Sequence, residues 1–374
     1  MAPLGLICTV HAGEPVPIEP MPVEEPADPW NICDIYDLAT LYSNKENRFM
    51  QMLAFTGRLQ ADAAFFDQDG GGDYERLLWR RTRTGLKATL FDNFTLHSEV
   101  SWNLNDTEGD YYQGLTDTYL AWSNNDAFAL KVGKQSVGFT GDGATTSKKL
   151  LRMERNVLST NIGFPVEYFT GASVGGKSGN WSYKAGGFSS ESGEDFGGFS
   201  AGYMELLSLG YNFAGNLDLD DATIRLDYVH NEEDEKNTTR NLSDVVSLNG
   251  KFEKGKFGVC TDLAGGKGYG SQSDIFGLSV MPFYDITDKA QLVASYNYLK
   301  SDGENGLRLD RYESRIESGR SDKLHEFYLG FNYFFCGHKL KWQSGIEYTS
   351  TSDSANDGGG YDGLGASTGI RISW

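Results

Sequence analysis

The chain has 374 residues, of which 39% are hydrophobic, and 52 acids against 33 bases give it a formal net charge of −19. No run approaches the roughly 18 consecutive apolar residues of a transmembrane helix, so a helical membrane protein is excluded. The four cysteines (Cys8, Cys33, Cys260, Cys336) have no CxxC spacing, and the five histidines form no paired motif, which excludes a zinc or redox signature.

In chain order, "PLGLICTVHAGE" has a short apolar core and a small residue, Ala12, before Gly13, like the end of a secretory signal. Residues 1–12 are read as a signal-peptide remnant that lacks a basic start. A Pro-rich acidic stretch follows, "EPVPIEPMPVEEPADPW", which cannot pack a core and is expected to be extended. Residues 13–48 are read as an acidic periplasmic segment. The cysteines are read as packing residues, with a disulfide at Cys33 as the alternative.

From residue 49 to residue 374 the chain repeats segments of about ten residues with period-two alternation. In "TGLKATLF", Leu86, Ala88 and Leu90 oppose Lys87 and Thr89; in "FTLHSEVSW", Phe94, Leu96, Val100 and Trp102 oppose Thr95, His97, Glu99 and Ser101. About sixteen such segments occur, joined by connections that alternate between short and long. Short ones include 92–93, 123–126, 176–180, 251–256, 285–289 and 336–338. Long ones are 67–75, 103–112, 135–164, 189–198, 230–240, 300–323 and 351–360, while 213–221 is long for its class. The pattern predicts an all-β fold: a transmembrane antiparallel β-barrel of about 16 strands with short periplasmic turns and long external loops. The expected location is a Gram-negative-type outer membrane.

The long connections other than 135–164, with residues 13–48, hold more negative charge than the whole chain, so the wall and the 135–164 loop taken together are mildly basic. Alternation points Arg81, Arg83, Lys87, Lys131, Arg225, Lys341 and Arg371 into the lumen and sets Arg76 and Arg80 near the outer rim. Inward arginines offer a planar fork of donors to phosphate or carboxylate oxygens. The competing reading pairs them with the lumen acids Glu99, Asp117, Asp227 and Glu347. Within 135–164, "SKKLLRMERNVL" offers Ser147 as a cap and Leu150, Leu151, Met153 and Val157 as a helical stripe. Folded inward, that loop would carry Lys148, Lys149, Arg152 and Arg155 to a constriction; the alternative lays the helix across the rim. The closing "STGIRISW" has Ser367, Gly369, Ile372 and Trp374 at the keyed positions of a C-terminal signal for the barrel assembly machinery.

The blocks "RRTRTGLKATLFDNFTLHSEVSW", "GLTDTYLAWSNNDAFALKVGKQSVGF", "TSKKLLRMERNVL", "GKSGNWSYKAGGFS" and "GHKLKWQSGIEY" resemble the phosphate-selective porin family, types O and P. The resemblance covers residues 49–374 and is most specific over 80–157. It implies a trimeric sixteen-stranded outer-membrane channel with an inward-folded third loop and a basic lumen that favours anions. Arg80, Arg81 and Arg83 match the family's basic run, and Lys131 and Lys134 match its "KVGK" block; these are pore-lining candidates. The expected function is passive diffusion of small hydrophilic solutes, with a structural or adhesive barrel using 230–240 and 300–323 for contact, or a general or cation-preferring porin, as alternatives. No catalytic residue, cofactor, metal or nucleic-acid partner is expected. The expected partners are lipopolysaccharide, the assembly machinery, two further copies of the chain and small ionic solutes.

Overall fold

The computed structural model describes residues 31–105, 109–164, 167–193 and 195–374. The signal remnant and the Pro-rich stretch lie outside them. The strands are β1 (Thr40–Ser43), β2 (Met50–Gln68), β3 (Asp73–Leu90), β4 (Phe94–Trp102), β5 (Tyr112–Asn125), β6 (Phe128–Ser136), β7 (Tyr168–Ser178), β8 (Trp181–Ser189) and β9 (Tyr203–Asn212). They continue with β10 (Asp221–Asn231), β11 (Leu242–Lys254), β12 (Phe257–Gly268), β13 (Ile275–Asp285), β14 (Ala290–Ser301), β15 (Lys323–Phe334), β16 (Leu340–Ser352) and β17 (Asp362–Ser373). Two short helices are α1 (Val157–Ile162) and α2 (Ala214–Leu217).

Strands β2 to β17 pair antiparallel with their chain neighbours, and β17 closes on β2 from Gly363↔Gln68 to Ser373↔Arg58. This is a closed sixteen-stranded barrel without a free edge, so the wall backbone pairs within the sheet, as a lipid environment requires. Alternation gives each strand an apolar outer set, exemplified by exposed Leu207, Leu209, Leu226, Leu248, Leu263, Phe327 and Leu329. The inner set includes Arg58, Gln60, Asp62, Glu99, Asp227, Asn297, Glu326 and Lys341, all buried.

The short and long connections tend to opposite ends, but the rule is not strict: the external connection between β2 and β3 spans only 69–72. The external connection between β12 and β13 spans only 269–274, and α2 occupies the long turn on the other end.

The N-terminal stretch is more ordered than its acidic, linker-like reading predicts. Residues Ile32–Ala39 form a 3-10 helix whose first turn is closed by a reciprocal Asn31 and Asp34 capping box. Strand β1 then pairs with β2 at Thr40↔Ala54 and Ser43↔Met52, just below the point where β17 ends. Cys33 and Cys336 form a disulfide across 303 residues of chain, tying this helix to the turn between β15 and β16. The cysteines' packing-only reading is therefore corrected for this pair. Cys260 is a free thiol.

Two long loops fold into the lumen. The 137–167 loop supplies Val137, Phe139, Val157, Leu158 and Ile162 to a buried cluster, and the 302–322 loop supplies Leu307 and Leu309 to the same cluster. The second loop is thus an inward strap; the contact-arm reading of 300–323 does not hold for it.

Candidate functional site: the lumen and its external vestibule

The predicted helix over 147–157 is absent. Residues 147–156 form turns and bends, and α1 begins only at Val157, capped by Asn156 Oδ1, which accepts from the Ser159 N–H at 2.8 Å. The physical reason lies in the wall. Lys341 Nζ donates to the Leu150 carbonyl at 2.6 Å, Gln343 Nε2 donates to the carbonyls of Leu150 and Leu151 at 3.1 and 3.2 Å, and Gln60 Nε2 donates to that of Ser147 at 3.1 Å. Wall side chains take the acceptors that a helix would use internally, so tertiary contacts override local propensity.

Arg152 is buried, donating to Glu326, to Glu347 Oε2 at 3.1 Å and to Ser295 Oγ at 3.0 Å, with its guanidinium 4.4 Å from the Tyr328 ring centroid. It is a rivet between loop and wall, which corrects its placement at a constriction. Lys149 is exposed. Lys148 donates to the Trp374 carbonyl at 2.9 Å, and burial, with the nearby Arg58 charge, lowers its ammonium to about 8. Arg155 pairs with Glu167 at 2.5 Å and donates to the Thr145 carbonyl at 2.7 Å.

Among the wall candidates, Arg80 and Arg81 both face inward because a register shift opposite Gln60 and Ala61 inserts one extra residue into β3. The rim placement of Arg80 is therefore corrected: it chelates both Glu154 oxygens, while Arg81 donates to Gln60 Oε1 at 2.9 Å. Arg83 donates to the Tyr168 hydroxyl at 2.6 Å and lies 3.7 Å from Glu99, which Arg58 also holds at 3.0 Å. Lys87 sits on the lumen face of β3 opposite His97. Lys131 stands 4.1 Å over the Tyr119 ring. Arg225 pairs with Asp227 at 2.8 Å and donates to the Thr140 carbonyl at 2.8 Å, and Arg371 pairs with Asp62 beneath Met153.

Lys134 does not line the pore. It shares the outward phase of Leu130 and Val132, and its ammonium donates to the Gly193 carbonyl at 2.7 Å under the loop after β8. Three residues separate it from Lys131, so period two puts the pair on opposite faces.

A vestibule of about 490 Å³ stays open at the external end, and a second cavity of about 440 Å³ lies beside Arg76, Arg81 and Arg83. The lining of the vestibule includes Arg155, Arg240, Arg308, Arg311, Arg315 and Arg320. Below it lies a chamber of about 350 Å³ lined by Tyr183, Lys184, Ser208 and Arg225; the two share Ser136 and Gly138, the start of the inward loop. Gly138 has a φ of +58°, a left-handed turn that a bulkier residue would strain.

Arg240, Arg308 and Arg320 make no ion pair among the described residues; Arg308 donates only to Gln272 Oε1, at 3.0 Å. Burial and mutual repulsion hold Arg308 down at about 9 and Arg240 at about 10. Sequence reasoning missed all three because they sit on loops, where no period reports orientation. Lys184 could have been found, since "WSYKAGG" alternates.

The family model of phosphate-selective porin O and P matches residues 53–253. Among solved structures, the chain is similar to a loop L8 deletion mutant of OmpT, an outer membrane protein of Vibrio cholerae. The TM-score is 0.57 at 17% identity, covering 86% of this chain and 99% of that one. It is also similar to the outer membrane channel DcaP of Acinetobacter baumannii (TM-score 0.59, 14% identity, 89% and 100% covered) and to Pseudomonas putida OprB (TM-score 0.61, 12% identity, 86% and 94% covered). No curated protein matches by sequence. At these identities the solved structures speak for the fold alone. The family match spans more than half of the chain and agrees with its closed sixteen-stranded wall: the protein is an outer-membrane β-barrel of the phosphate-selective porin O and P family.

Proposed function

We propose that the porin passes small hydrophilic anions, phosphate-sized or carrying carboxylates, by passive diffusion past the Ser136 and Gly138 neck. The observation that carries this reading is the three-arginine group of Arg240, Arg308 and Arg320. Of the four vestibule acids, Glu154 and Glu167 are already engaged, by Arg80, Arg81 and Arg311 and by Arg155, which leaves Asp310 and Glu317 against Arg240, Arg308, Arg315 and Arg320. The unpaired guanidinia therefore set the field that an entering solute meets, and Lys184 and Arg225 extend it below the neck. Guanidinium keeps its charge and offers paired donors to oxyanions, so it suits transient rather than single-site binding.

The family name and the trimer form recorded for Vibrio cholerae OmpT support an arrangement of three copies for this chain as well. Ser367, Gly369, Ile372 and Trp374 are proposed as the signal read by the assembly machinery, and the acidic external loops as the surface that meets lipopolysaccharide through divalent cations.

The test is the zero-current potential across a planar bilayer under a salt gradient, with chloride and then phosphate. Anion preference in the wild type that weakens in Arg308→Ala and Arg240→Ala is expected. Cation preference in the wild type would put the acidic loops in control and remove the anion reading.

A further inference from the structure

The strap leaves one feature that passive diffusion does not use: the acids that hold it down. Tyr312 anchors the strap to β2 through Asp62 Oδ2 at 2.8 Å, with its ring against Phe66 and Tyr74. Beside it, Glu313 Oε1 accepts from Thr349 Oγ1 at 3.2 Å on β16. Glu313 and Glu326 are 2% and 1% exposed, yet Oε2 of each has no hydrogen-bond partner among the described residues, and neither does the buried Tyr361 hydroxyl.

Asp310 and Glu313 of the strap, Glu326 of β15 and Glu347 of β16 interact electrostatically. The groups that face them from the other elements are Arg152 and Glu154 of the third loop, Tyr328 of β15 and Tyr361 of the last loop. Glu154 is already taken up by Arg80, Arg81 and Arg311. One guanidinium, that of Arg152, thus answers four carboxyl groups. Four ionised carboxylates around it would leave a net charge of about −3 in a buried site, a cost that is lowered when the strap acids Asp310 and Glu313 keep their protons. A proton on Glu313 also turns its unpartnered Oε2 into a donor.

We propose that the 305–321 strap is a proton-held lid, docked while Asp310 and Glu313 keep their protons against the Glu326–Arg152–Glu347 group and released from the external mouth when they are lost. The strap carries Arg308, Arg311, Arg315 and Arg320, so its release widens the vestibule and withdraws four cationic groups at once. Burial, reinforced by the neighbouring carboxylates, lifts Asp310 to about 7 and Glu313 to about 8. Both exceed the ordinary carboxyl range of about 4, so the docked state binds protons more tightly than the released one. Docking is therefore fully favoured below that range and weakens as pH rises through about 7 to 8. The lid rests on the packing of the strap and not on which ion the pore prefers.

Trypsin tests this on the folded, detergent-solubilised protein, because the strap holds four arginines. The readout is the rate of strap cleavage in the wild type divided by that in Glu313→Gln, which keeps the carboxamide shape without the charge and cancels the enzyme's own pH profile. The expected ratio is near one at about pH 6 and at least about tenfold at about pH 9. Asp310→Asn, used in the same way, guards against a misfolded first variant, with heat-dependent gel mobility selecting folded barrels. A ratio that stays flat with both variants overturns the lid. So does a wild-type bilayer conductance that fails to rise over the same pH interval. Neither readout depends on ion selectivity, so the anion reading stands or falls separately.

Discussion

The two halves of the lumen use the same residue types for opposite ends. On the side formed by β14 to β17 and β2, the third loop lies flat on the wall, and Arg152, Lys341, Gln343 and Arg371 are all buried beneath or within it. On the side formed by β6 to β10, Lys184 and Arg225 border open space. The difference shows that a lumen arginine is a conduction element only if its partners leave it facing water. Where buried partners close around it, as Glu326 and Glu347 do around Arg152, and as Asp62 and the Met153 carbonyl do around Arg371, it becomes a structural pin.

Breaking the closed side gives the largest expected effect. Arg152→Ala leaves Glu326 and Glu347 buried without their cation, a loss on the order of 3–5 kcal/mol. The measurement is the temperature of the heat-dependent gel shift, which should fall, with Arg152→Met milder only if Glu326→Gln is made with it. Next comes the seam on the same side. A Cβ at Gly57 would meet the Arg83 carbonyl at 2.6 Å and the Trp374 ring at 2.5 Å. Both neighbours are held in the wall, so Gly57→Ala should cost about 1–3 kcal/mol and lower the folded fraction after refolding into detergent.

The open side should respond in function and hardly in stability. Lys184→Gln keeps a donor for the Ser136 and Val137 carbonyls, which Lys184 now reaches at 3.2 and 2.6 Å, while removing one charge at the neck. The zero-current potential should move toward cation preference with an unchanged gel shift. An unchanged potential would mean that solutes do not pass the chamber below Ser136. The smallest effect on the barrel is expected from Cys336→Ser. The disulfide joins the N-terminal helix to a turn and not strand to strand, so the gel shift should stay as it is. Cleavage of residues 44–49 by an added protease should become faster as the helix comes free.

Much of this was legible in particular residues. The phase of "TGLKATLF" and "FTLHSEVSW" correctly turned Lys87 and Glu99 inward, and Arg81, Arg83, Lys131, Arg225 and Arg371 followed the same rule. Where the rule was interrupted it misled. The extra residue in β3 swung Arg80 inward, and the motif match at "KVGK" took Lys134 to the pore although its parity sets it outside. The cap and stripe at 147–157 were locally sound for a helix, but Lys341 and Gln343 lie far away in the chain and claimed its carbonyls. Arg240, Arg308 and Arg320 gave no signal at all, since a loop has no repeat from which a direction can be read.

The sequence by itself determined the wall. Period-two alternation and the rhythm of the connections specify strand number and the direction of wall side chains wherever no bulge interrupts the strand, because a lipid-embedded sheet admits no other arrangement of polar backbone. Only the tertiary structure decided what fills the wall. Which loops turn inward, which of the arginines are neutralised and which remain to meet a solute, and how Cys33 finds Cys336 all depend on contacts between residues tens to hundreds of positions apart. Local pattern carries no information about such contacts.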